Sequence, residues 1–116
     1  MKALLLMLAV LALAAAPQAS PPGKELFDKR CGGCHGLDRD KEGPRLRGVY
    51  GRAAASVESF GYSEALRKSR LTWDAATLNE WLSDSERLVP GTDMTFRVES
   101  QAERDAIIAW LKQTSR

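Results

Sequence analysis

The five residues CGGCH, positions 31 to 35, hold both cysteines and the single histidine of a 116-residue chain. Two thiols and an imidazole packed this closely can do three kinds of chemistry. A structural zinc site is the first, but Cys31, Cys34 and His35 leave it one protein ligand short unless a carboxylate or a second chain completes it. A thiol-disulfide redox pair is the second. Such motifs usually follow a strand in a strand-helix-strand unit, which this sequence does not offer. A static disulfide would close so short a loop that it restricts the unfolded chain very little. Covalent haem attachment is the third. The C-x-x-C spacing sets two thiols on one side of a helical turn, where both can add to the vinyl groups of one porphyrin while the adjacent imidazole reaches the iron.

With His35 on one side of an iron, the other side has few candidates. Met1 and Met7 fall in the leader described below, so Met94 is the one methionine of the remaining chain, and there is no second histidine. Met94 lies in Val-Pro-Gly-Thr-Asp-Met-Thr-Phe, residues 89 to 96, a turn-forming stretch without helical period. Pro90 and Gly91 restrict the backbone there, so that one side chain can be aimed. A thioether is a soft, neutral ligand that favours ferrous iron, and His/Met ligation raises the reduction potential. With both axial positions closed no site is left for a substrate. The expectation is outer-sphere transfer of single electrons by a protein that is not an enzyme. The alternative is a haem protein in which Met94 dissociates, acting as a peroxidase or gas sensor.

The chain begins with Lys2, an apolar run from Ala3 to Ala16, and Pro17-Gln18-Ala19-Ser20. That is the pattern of a secretory signal, shorter than the roughly 20 apolar residues of a membrane span. Cleavage is expected after Ala19, with Ala16 the other option and an uncleaved anchor the alternative. Residues 1–19 are thus read as a signal peptide and 20–116 as one domain, exported to the periplasm, with no membrane insertion after cleavage. Removing 19 of 116 residues leaves 97, with 16 basic against 15 acidic side chains, a formal charge of +1. Both signs are mixed along the chain, so no phosphate-tracking stripe and no nucleic-acid partner is expected. A domain of this size buries a modest share of its surface and often leans on a metal, a disulfide or a large cofactor.

The fold reads as all-α. One helix is expected from about Lys24 into the cysteines, and a short one over residues 63 to 69. A third starts at Thr72 or Asp74 and carries Leu78, Trp81 and Leu82. The last opens on a capping box, Ser100 to Glu103, and repeats Ile107, Trp110 and Leu111 three and four apart. Val49-Tyr50 and Leu88-Val89 are too short to build a sheet. The stretches 36–60 and 85–99 are long for loops without elements of their own. Their apolar and aromatic residues (Leu46, Val49, Tyr50, Phe60, Tyr62, Val89, Met94 and Phe96) suggest that they wrap around something.

The motifs taken in order resemble the class I cytochromes c, the mitochondrial type and related bacterial monohaem proteins, over residues 23 to about 112. Gly23 and Phe27 precede CGGCH, and GPRLRGVYGR at 43–52 follows it. FGYSEA, LTW, LNEWL, VPGTDMTF and ERDAIIAWLK come after in that family's order. The resemblance implies a cytochrome c fold of three to five helices wrapped around one covalently attached haem c. It implies a soluble carrier, expected as a monomer, that moves electrons between redox partners such as a dehydrogenase or an oxidase. Cys31 and Cys34 would hold the haem, and His35 and Met94 would ligate its iron. Pro44 would direct its carbonyl to the His35 ring. Arg52, Tyr62 and Trp73 would bind the inner propionate, and Gly23 and Trp110 would mark the crossing of the first and last helices. The chain also departs from the mitochondrial pattern. Leu66 stands in place of a common Asn and Trp81 in place of Tyr. Glu86 and Asp93 stand where Lys is frequent, which breaks the basic docking ring, and the stretch between His35 and Pro44 is short.

Overall fold

The computed structural model describes residues 9–14 and 22–116. The expected signal segment lies largely outside the described residues, and so does its cleavage point after Ala19. No helix among the described residues is long and apolar enough to cross a membrane.

Five helices follow one another: α1 (Pro22–Arg30), α2 (Glu64–Ser69), α3 (Ala75–Ser83), α4 (Ser85–Leu88) and α5 (Gln101–Gln113). Among the described residues the only β pairing is an isolated antiparallel bridge between Ala53 and Thr72, so the all-α expectation holds. Helix α1 starts two residues earlier than the sequence suggests. Pro22 takes the first helical position, where a missing N–H costs nothing because that group has no partner in the helix anyway. Its last turn carries Lys29 and Arg30, the charges favoured at a helix C-terminus. Helix α2 is capped by Ser63, whose side chain accepts from the Leu66 N–H at 3.1 Å. Of the two candidate starts for α3, Asp74 is the cap. It forms a complete capping box with Thr77, each side chain taking the other's backbone N–H at 2.9 Å.

The first and last helices cross closely. Gly23 is buried in α1, and a side chain there would strike the Ala106 carbonyl oxygen and lie 2.7 Å from Trp110 Cβ. The Phe27 and Trp110 rings pack beside this contact with centroids 4.6 Å apart. The reciprocal capping box expected at α5 forms only by half. Ser100 accepts from the Glu103 N–H at 3.2 Å, but the Glu103 carboxylate turns across the crossing to Arg30 at 2.9 Å.

Helix α4 is a single turn inside a stretch expected to be loop. Asp84 both ends α3 and caps α4, accepting from the Arg87 N–H at 3.2 Å. A buried arginine then ties the frame together. Arg104, 8% exposed, donates to the carbonyls of Val98 and Glu99 at 2.7 and 2.8 Å and to Asn79 of α3 at 2.9 Å. These charge-assisted bonds fix the start of α5 against α3 and the segment that leads into it.

Candidate functional site

The helices and the long connections flank a cavity of about 540 Å³ that opens to solvent. Helix α2 contributes Leu66, α3 contributes Leu78, Trp81 and Leu82, and α5 contributes Ile107 and Leu111. The connections close the rest. Of the eight apolar loop residues expected to wrap an object, Leu46, Val49, Phe60, Tyr62, Met94 and Phe96 line the cavity. Val89 is buried in the core instead. Tyr50 faces α5, with the Lys112 ammonium 5.5 Å from its ring and its backbone N–H donating to Ser115 Oγ at 3.3 Å.

All seven residues singled out as a site line this one cavity: Cys31, Cys34, His35, Arg52, Tyr62, Trp73 and Met94. The pentapeptide continues from α1 as helix-like turns. Cys34 N donates to Cys31 O at 3.1 Å and His35 N to the same carbonyl at 2.9 Å. This holds the two sulfurs and the imidazole on the side of the turn that meets the cavity. Both thiols titrate above the ordinary cysteine range. Burial pushes Cys31 up to about 11. Cys34 is raised chiefly because it donates a hydrogen bond to the Glu42 carboxylate at 3.4 Å. An exchange-active dithiol needs a lowered pKa, so the environment argues against thiol-disulfide chemistry.

His35 is placed by two neighbours. Its Nδ1 lies 2.7 Å from the Pro44 carbonyl oxygen. A carbonyl can only accept, so Nδ1 carries the proton and Nε2 keeps its lone pair. Gly43 supplies the room, because a Cβ at that position would overlap the ring, 2.6 Å from Nδ1 and 2.7 Å from Nε2. Burial lowers the His35 pKa, with the Pro44 bond opposing it, which favours the neutral ring, the form that binds metals. Nothing in the sequence alone marked Gly43 as a steric requirement of the ring.

Met94 lies on the far connection, after a turn closed by Thr92 N donating to Val89 O at 3.1 Å. Its carbonyl accepts from Ser85 Oγ at 2.5 Å. Sequence reasoning passed over Ser85, since it sits in the undetected turn α4. The signal was the Asp-Ser-Glu run at 84–86, a cap followed by an acidic first turn.

Arg52 tests whether a haem fits. Its Nη1 and Nη2 donate to the carbonyls of Arg47 at 3.3 Å and Arg45 at 3.0 Å. Its Nε is buried with no partner. Burial lowers the Arg52 pKa, a penalty that the more distant Asp40 carboxylate offsets only in part. An orphaned donor on the wall of an apolar cavity is satisfied by an anionic group, and a haem propionate is one. Tyr62 stands beside it, its hydroxyl accepting from the Val57 N–H at 3.2 Å and still free to donate. Trp73 is buried edge-on to Trp81, ring centroids 5.2 Å apart. Leu66 and Trp81, the two departures from the mitochondrial pattern on this side, are both buried in the cavity wall.

A helical shell around one apolar cavity, with two thiols and a neutral imidazole at one wall and an unpaired guanidinium at another, defines a carrier of a covalently held tetrapyrrole. Comparison with known proteins agrees. Residues 20–115 match the profile of the Cytochrome c family. Cytochrome c2 of Rhodoblastus acidophilus is 42% identical over 95 residues, covering 78% of this chain and 88% of that protein. Cytochrome c of Euglena viridis is 38% identical over 93 residues, covering 78% and 91%. The solved structure of cytochrome cH from Methylobacterium extorquens superposes with a TM-score of 0.75 at 40% identity, covering 79% of this chain and 95% of that one. The chain belongs to the cytochrome c family, class I. Its cofactor is a covalently attached haem c, and it is a monohaem electron carrier.

Proposed function

We propose that this protein is a periplasmic carrier that moves single electrons between larger redox proteins, with its haem iron held by His35 and Met94. The observation that carries this reading is the common cavity: a half-buried imidazole, its Nδ1 taken by the Pro44 carbonyl and its Nε2 free, and the one methionine outside the leader both line it. When bound, the haem supplies reversible one-electron redox chemistry at its iron.

The chain's own residues do the rest. Cys31 and Cys34 tether the haem through thioether bonds, and Pro44 keeps the proton of His35 on Nδ1, which orients the ring and raises the basicity of Nε2. Arg52 offers its unpartnered Nε to the inner propionate, with Tyr62 and Trp73 adjacent as further donors. Leu66, Trp81, Leu82 and Ile107 exclude water, which limits solvent reorganisation and favours the less charged state of the site. Phe96, 39% exposed and part of the cavity wall, marks the edge through which the electron leaves.

The leader pattern supports export, followed by signal removal. Glu86 and Asp93, both exposed, favour a partner other than one that reads a lysine-rich face. No enzymatic role is needed to account for the site. The peroxidase and gas-sensor alternative requires a free sixth position, and the bond from Ser85 to the Met94 carbonyl weighs against it.

The test is ligand access. Wild type should bind carbon monoxide and imidazole slowly and weakly, whereas Met94→Ala should bind both readily. Equal, rapid binding by the two proteins would overturn the axial assignment.

A further inference from the structure

We infer that α4 works as a clip, in which the buried hydroxyl of Ser85 holds the Met94 backbone and so keeps the thioether presented to the cavity. The inference rests on the axial role proposed for Met94. Ser85 is 1% exposed, among the most buried side chains of the domain, and its hydroxyl donates to the Met94 carbonyl at 2.5 Å. A serine so enclosed is costly unless its hydroxyl is bonded, and this one spends its proton on the single residue whose side chain must be aimed.

The contact is the first of three in register. Asp84, the residue before Ser85, pairs with Arg97, three residues past Met94, at 3.1 Å. Leu82, at the end of α3, accepts from the Val98 N–H at 2.8 Å. Residues 82, 84 and 85 thus grip 98, 97 and 94, and the second strand of chain runs along the junction of α3 and α4. Of the three grips, the Arg97 pair is half-exposed and screened, so it holds weakly. The Leu82 bond is main chain and indifferent to side-chain identity. Ser85 is the one buried side-chain grip, and it falls at Met94 itself. Its own backbone is fixed in turn, as its carbonyl accepts from the Val89 N–H at 2.9 Å. Met94 has no regular hydrogen-bonded element around it, so this bond is what limits excursions of its backbone away from the cavity. Ser85 is therefore a positioning residue, acting on the iron only through Met94.

Four variants of the haem-loaded protein test this, read by imidazole association rate and by the absorption band of the sulfur-iron bond. Ser85→Ala should speed imidazole association about two- to tenfold, the factor for one hydrogen bond of ordinary strength, and weaken the sulfur-iron band. Ser85→Thr, which keeps the hydroxyl, should stay near wild type. Thr77→Ala breaks the capping box at the opposite end of α3, so it should lower the melting temperature and leave both readouts unchanged. Met94→Ala sets the open limit. A folded Ser85→Ala protein with wild-type rate and band would overturn the inference while leaving the axial role of Met94 intact. Acceleration by Thr77→Ala equal to that of Ser85→Ala, or a Ser85→Thr protein as fast as Ser85→Ala, would overturn it too. If instead Met94→Ala binds no faster than wild type, the axial reading itself has failed.

Discussion

A chain that cannot attach haem should not fold cooperatively, and the cavity gives the size of the effect. In the T4 lysozyme series on which the coefficient rests, an unfilled core costs about 24 cal/mol per Å³ of void. Applied to 540 Å³, that is an upper bound of about 13 kcal/mol, because the cavity opens to solvent and water can enter it, against the roughly 5–15 kcal/mol that separates the folded and unfolded states of a whole domain. The lining makes the loss hard to avoid. Trp73, Leu78, Trp81, Leu82, Ile107 and Leu111 form the cavity wall and the hydrophobic core at once, so few apolar contacts remain that do not involve it. Collapse of the walls would recover part of the energy, but only by giving up the fixed positions of α3 and the loops. The crossing of α1 and α5 around Gly23, Phe27 and Trp110, and the bonds from Arg104 to Val98, Glu99 and Asn79, lie apart from the cavity, and they are too few to hold a domain alone. The perturbation is Cys31→Ala with Cys34→Ala, produced without haem and compared with the loaded wild type. Far-ultraviolet circular dichroism should show reduced helix and a broad, shallow thermal change, with strong binding of a hydrophobic dye, as expected of a compact state without fixed packing. A sharp, single melt with native helicity in the haem-free variant would refute the reasoning, because it would show that the walls support one another without the group they surround.

Two further outcomes follow from local geometry. Gly43→Ala should destabilise the loaded protein by about 1–3 kcal/mol, the usual cost of overpacking. Its methyl would occupy the space of the His35 ring, which the Pro44 bond at 2.7 Å keeps from swinging away. Denaturant titration measures this, and a shift within about 0.5 kcal/mol would mean the ring is freely repositioned. The pH dependence of stability should carry a contribution from Asp74, whose carboxyl is held below its ordinary value by hydrogen bonds from Thr77, the backbone N–H first. Because the folded value is depressed, the contribution is complete above the unfolded value of about 3.9 and disappears as pH falls through the folded one. The stability gap between wild type and Asp74→Ala should therefore close on acidification below about pH 4. A gap that stays constant to the acid end would show that the cap does not depend on the ionised carboxyl.

What the sequence disclosed and what it withheld divide along a physical line. Periodicity and capping chemistry are local, and they located α1, α2, α3 and α5 to within a few residues, because Ser63, Asp74 and Ser100 each offer a side-chain oxygen to the backbone just ahead of them. The C-x-x-C-H pattern is local too, and it singled out Cys31, Cys34 and His35, which the fold brings to one cavity wall. The turn α4 escaped because a single turn has no period to detect. Arg104 was passed over for a different reason. It falls at 104 in the stripe 104, 107, 108 and 111, so its position on the buried face was legible, but its partners are carbonyls six and five residues upstream and an asparagine on another helix. Glu103 is the converse case, a residue whose local capping role loses to a distant cation, Arg30. The roles of Gly43 and Ser85 belong to the same class, since each is defined by what a chain segment eight or nine residues away needs: room for the ring of His35, and a donor for the carbonyl of Met94. A motif can declare which atoms will meet a cofactor. The residues that hold those atoms in place act through packing across the fold, and no spacing in the chain encodes them.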